Sequence, residues 1–161
     1  MKSIIEGGLT ILVAFLVYTT LAHISPSSII VSINIFFIAV ILFAVGKGDL
    51  PGAVMGMVCG LVVDSFSLGV FGIAGVTNTL TGYAAGYISR KINILPTRRM
   101  FVFLVIMGVL DFGLWIFLAA VLFGQGIPWP LGTLLVQPMI TAVLGTAAFS
   151  LRRRIQSRHE R

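Results

Sequence analysis

The 161-residue chain is 58% hydrophobic and only 10% charged, with a mean hydropathy of +1.08. A soluble domain carries roughly a quarter charged residues, so the composition excludes an ordinary water-soluble globule and points to one integral membrane domain. The net charge of +6 comes without a basic soluble domain, and the one cysteine, Cys59, cannot pair within the chain, so nucleic-acid binding and a disulfide scaffold are both set aside.

Six apolar runs follow in chain order, over approximately 7–24, 29–45, 51–70, 71–89, 100–122 and 131–150. Most approach the ~20 residues that cross a ~30 Å hydrocarbon layer as helix. They are continuous rather than alternating, and lipid forces backbone groups to bond within their own segment, so helices are predicted rather than strands. No small-x-small cleavage site follows the first run, which is therefore expected to be a span rather than a signal peptide. The connections HISPSS, GKGDLP, SFSLGVFG, RKINILPTRR and GQGIPWP carry the glycine, proline, serine or charge that interrupts helices. Pro51 suits the first turn of the third helix, where its missing N–H is harmless. Tyr87 and Trp129 are expected at membrane–water interfaces, as is His23, and the predicted fold is a single all-α domain of six transmembrane helices.

Basic residues fall in alternate connections. Lys2 precedes the first run, Lys47 follows the second, and Arg90, Lys91, Arg98 and Arg99 follow the fourth. Arg152, Arg153, Arg154, Arg158 and Arg161 follow the sixth, while the first, third and fifth connections have none. By the positive-inside rule both ends face the cytoplasm, which six spans satisfy. The same residues can also lie on anionic lipid at about 1 kcal/mol each.

Glycines mark the packing faces. In the third run Gly52, Gly56 and Gly60 recur every four residues, and Asp64 completes the row. In the fourth, Gly72, Gly75, Thr79, Gly82 and Gly86 recur at spacings of three and four. Membrane helices associate through close approach of small residues, so both rows are predicted to sit in tight helix contacts.

Asp49 and Glu6 fall at run ends and are expected in solvent. Asp64 and Asp111 fall inside apolar sequence, where a carboxylate costs about 2.5–3.5 kcal/mol on insertion scales. At 1.5 Å per residue Asp64 lies roughly 20 Å and Asp111 roughly 16 Å from the cytoplasmic side, and Asn34, Asn78 and Gln137 lie about 9–10 Å below the outer face. Tyr18 comes to a similar level. These six side chains form a predicted polar layer, either a hydrogen-bond network or the floor of a cavity open to the outside. Asp64 either holds the turn into the next helix or faces that cavity. There is no phosphate loop, HExxH, GxSxG or Cys/His metal spacing, and nothing pairs a nucleophile with a base. No enzyme, cofactor or metal is expected.

GAVMGMVCGLVVDSFSLGVFG (52–72) and TGYAAGYISRKI (81–92) resemble the MreD family of rod shape-determining membrane proteins. That family pairs a glycine-rich third helix ending in Asp and a Ser-containing turn with a Gly-Tyr-rich fourth helix ending in basic residues. Asp64 and Gly72 match its motif positions, Asp111 an acid of its fifth helix, and the terminal arginines its tail. Ile73–Ala74 stand where members commonly carry a polar residue, and Gln137 where some carry Asn. The resemblance implies a non-catalytic scaffold of the bacterial cell-elongation complex, in the cytoplasmic membrane. It implies association with MreC, and through it with MreB, RodA and the elongation-specific class B penicillin-binding protein. It also implies a bundle similar to the substrate-binding S-components of energy-coupling-factor transporters. A small-solute-binding subunit of that type is thus an alternative, although the alanine row typical of their first helix is reduced here to Ala14 and Ala22. A proton-linked carrier using Asp64 and Asp111 lacks an inverted repeat.

Overall fold

Gly48, with φ of 102°, lets two apolar segments follow one another almost without a linker. In the computed structural model the chain forms α1 (Lys2–Ile24), α2 (Ile35–Lys47), α3 (Asp49–Phe66), α4 (Ile73–Lys91), α5 (Thr97–Phe123) and α6 (Leu131–His159). The structure describes residues 2–24, 34–66, 72–92, 94, 96–123 and 131–159, and side chains for 6–20, 34–66, 72–92, 94, 96–122 and 137–151. Among the described residues there is no strand, and the fold is all-α.

The helices match the predicted runs with shifted ends. The second was expected from 29 but begins at Ile35, because Asn34 is its N-cap and its side chain accepts the Phe37 N–H at 3.0 Å. The third begins at Asp49 and ends at Phe66, short of the predicted 70. The fourth begins at Ile73 rather than 71, with Gly72 as its N-cap at φ 106°. Among the described residues, two helices are by length and composition apolar enough to cross a membrane, within Asp49–Phe66 and Thr97–Leu122, and Glu6–Thr20, Ile35–Lys47 and Gln137–Leu151 are shorter apolar helices.

The short α2 is the hub, packed against α1, α3, α4 and α6. Its Val40 and Ile41 are fully buried. One apolar cluster joins α2 to α4, α5 and α6 through Phe37, Ile41, Ala85, Met100, Leu104 and Ala142. A second joins it to α1 and α3 through Ala14, Phe36, Val40, Phe43, Met55 and Cys59. Cys59 is completely buried within this second cluster.

Charge gathers at one end. Lys47, at the end of α2, pairs with Glu6 near the start of α1. Arg90, near the end of α4, pairs with Asp49 at the start of α3 at 3.0 Å. Glu6 and Asp49 keep 40% and 20% of their side chains exposed, and antiparallel neighbours also bring each to a cation on the next helix. Elsewhere the usual distribution of polarity is inverted. Leu9, Val102, Ile106, Phe117 and Val143 are more than half exposed, whereas Asp64, Thr77, Asn78, Thr81, Asp111 and Thr141 are buried.

Candidate functional site

The site grows out of the contact between α3 and α4. A side chain added at Gly52 would lie 2.5 Å from the Gly82 carbonyl oxygen. One added at Gly56 would collide with the Asn78 carbonyl, at Gly60 with the Ala74 carbonyl, and at Gly86 with the backbone of Gly48 and Asp49. A step of four along α3 thus meets a step of four along the antiparallel α4. Both backbones touch at every turn, which only glycine permits. Gly75 borders the seam more loosely, with the Leu61 side chain 3.3 Å from an added Cβ.

One turn beyond Gly60 the row reaches Asp64, and there α4 is only beginning. What faces residue 64 is the open N-terminus of α4, with N–H groups that lack intrahelical partners. The carboxylate accepts three of them: Gly72 at 2.9 Å and Gly75 at 3.0 Å on Oδ2, and Ala74 at 3.2 Å on Oδ1. Of the two roles left open for Asp64, the structure places it at the helix start. Gly72 is likewise corrected, since nothing lies within 4 Å of an added Cβ; it serves the backbone turn rather than packing.

A cavity of about 200 Å³ opens on the neighbouring face of α4. Four of the six predicted layer residues line it: Asn34, Asn78, Asp111 and Gln137. The other two stand apart. Asp64 is the cap just described, and Tyr18 packs its ring 5.7 Å from Phe36 and 6.3 Å from Phe66. Equal depth does not imply a shared direction around each helix, which is why the layer divides.

The cavity's polar groups are incompletely paired. Asn78 Nδ2 donates to the Ala74 carbonyl at 3.0 Å, but among the described residues Asn78 Oδ1 has no partner, nor does Thr141 Oγ1. Thr81 Oγ1 lies 3.1 Å from Asp111 Oδ1 and 2.7 Å from the Thr77 carbonyl. Thr77, Thr141, Phe112 and Trp115 also line the wall, and Thr81 supports Asp111 from behind; sequence reasoning missed all five. Thr77, Asn78 and Thr81 share the 3–4 spacing of one helical face, a signal hidden beside the stronger glycine row. Among the described residues the wall holds one carboxylate and no Lys, Arg or His.

The basic residues lie elsewhere. Arg90 reaches Asp49, Lys91 sits 4.7 Å over the Tyr87 ring, and Arg98 and Arg99 are exposed at the start of α5. Tyr87 in turn stacks with Tyr83 at 6.4 Å. The side chains of His23, Arg152, Arg153 and Arg154, and all of Trp129 and Arg161, lie outside the described residues, as does the Arg158 side chain. Among the described residues no three His, Cys, Asp or Glu side chains gather as a metal site. What the arrangement offers chemically is a set of hydrogen-bond acceptors and hydroxyls around a small void. No protein-family profile, curated protein or solved structure is significantly similar to the chain.

Proposed function

We propose that the chain is a six-span scaffold of the MreD type in the bacterial cytoplasmic membrane, with both ends cytoplasmic. The observation that carries the membrane part is the inverted polarity: leucines, valines and phenylalanines outside, hydroxyls, an amide and two carboxylates inside, and paired charges at one end. Lipid tails solvate such an exterior, and water does not. The shorter helices reach the full thickness with neighbouring residues or by local thinning of the bilayer. The seam between α3 and α4 gives a stiff support, and the exposed apolar faces are available to the span of MreC. Through MreC the scaffold would orient MreB, RodA and the class B penicillin-binding protein for lateral peptidoglycan synthesis. That partner set rests on the resemblance of residues 52–92.

Topology is tested by labelling Ile92→Cys and Ile127→Cys variants in intact cells; Cys59 is buried and adds no background. Reaction of both from one side refutes the six-span reading. Recovery of MreC with the tagged protein from mild detergent supports the scaffold, and its absence counts against it. The cavity favours a second reading, a solute-binding subunit of the S-component type, for which the recovered partners would be a membrane T-component and an ATPase.

A further inference from the structure

We infer that the cavity between α2, α4, α5 and α6 is a binding site for a small organic amine in its ammonium form. The inference deepens the solute-binding reading, but it stands on the wall chemistry and not on which protein partner is recovered. About 200 Å³ is space for about seven waters at about 30 Å³ each. The void is thus too large for a packing defect and small enough to enclose a compact organic molecule. Asn78 and Thr141 line it, and their Oδ1 and Oγ1 atoms are buried with no hydrogen-bond partner among the described residues. Buried polar atoms are ordinarily paired, by protein, water or ligand. Asn78 Oδ1 is an acceptor only. Asp111 adds a carboxylate with about four acceptor sites, approached from α4 by the Thr81 and Thr77 hydroxyls, which leaves others open to the cavity.

An ammonium group supplies three donors and no acceptor, which is the complement of this wall. Its charge answers Asp111, for which the described residues of the wall provide no Lys, Arg or His. An anion would instead meet that carboxylate without a counter-charge. The remaining wall, including Phe112 and Trp115, suits an alkyl body, and aromatic faces attract cations.

The test uses the full chain in non-ionic micelles at fixed ionic strength, carrying Trp129→Phe so that Trp115 is the sole tryptophan. Three probes of one shape are titrated against its fluorescence: n-butylammonium, n-butanol and n-butyrate. The expected result is a saturable change with the tightest binding for butylammonium and the weakest for butyrate. Asp111→Asn should weaken butylammonium about tenfold or more, because a desolvated charge loses its partner. Thr141→Val removes a hydroxyl that holds nothing else, so folding should persist while butylammonium weakens about two- to tenfold. Butanol or butyrate binding as tightly as the amine overturns the inference. So does an amine response unchanged in both variants, or no saturable response to butylammonium in the parent.

Discussion

The Asp64 carboxylate, last buried residue of α3, accepts the backbone N–H of Gly72, the N-cap of α4, at 2.9 Å. The same group holds Ala74 and Gly75, so one side chain both ends the glycine seam and caps the helix that forms its other half. Asp64→Ala strands these donors in apolar surroundings and should cost at least about 2 kcal/mol, since a lost cap alone is worth about 1 kcal/mol and unpaired buried donors add to it. Asp64→Asn retains an acceptor oxygen and should cost less. Denaturant titration in micelles reads both, and an Asp64→Ala protein unfolding at the parental midpoint would refute the capping role.

Gly56 and Gly60 touch the opposing backbone itself, so no rotamer change makes room there. An Ala Cβ at Gly60 would lie 2.5 Å from the Gly75 Cα. Gly60→Ala and Gly56→Ala should therefore push α3 and α4 apart, at about 1–3 kcal/mol each. Gly8 and Gly113 have nothing within 4 Å of a Cβ. Alanine at either helical position should be neutral or stabilise by up to about 1 kcal/mol. If all four substitutions shifted stability alike, close backbone approach would not be the cause.

Gly72 is required for a different reason. Space around it is open, but its φ of 106° lies where L side chains are strained. Gly72→Val should cost about 1–3 kcal/mol, and Gly72→Asn less, because Asn tolerates positive φ better than any β-branched residue. Equal cost for Asn and Val would point instead to crowding of the turn.

These residues also mark what the sequence makes legible. Six continuous apolar runs and the strict spacing of Gly52, Gly56 and Gly60 announced helices and a close-packed face, because both depend on local periodicity. The choice between the two roles of Asp64 does not follow from sequence, since it depends on where α4 begins, and the expected start at 71 differs from Ile73 with Gly72 as its N-cap. Depth counting groups six residues, of which Asn34, Asn78, Asp111 and Gln137 line one cavity; it carries no information on azimuth, and Tyr18 packs instead against Phe36 and Phe66. Thr81 and Thr141 were passed over because a hydroxyl within an apolar run usually bonds back to its own helix, as Thr146 does here to the Ala142 carbonyl at 2.7 Å.

Thr81 does both at once, and that gives the last prediction. Its hydroxyl has a single proton but lies 2.7 Å from the Thr77 carbonyl of its own helix and 3.1 Å from Asp111 Oδ1 on α5. A bond that only served α4 would be indifferent to Asp111; one that crosses the helices must couple the two residues. Interhelical hydrogen bonds in membrane bundles are worth about 0.6 kcal/mol on average and up to about 1.7 kcal/mol. A double-mutant cycle of Thr81→Val with Asp111→Asn should therefore give a coupling energy in that range, with Thr81→Ser retaining it because the hydroxyl survives. A coupling indistinguishable from zero would assign the Thr81 hydroxyl to the Thr77 carbonyl alone.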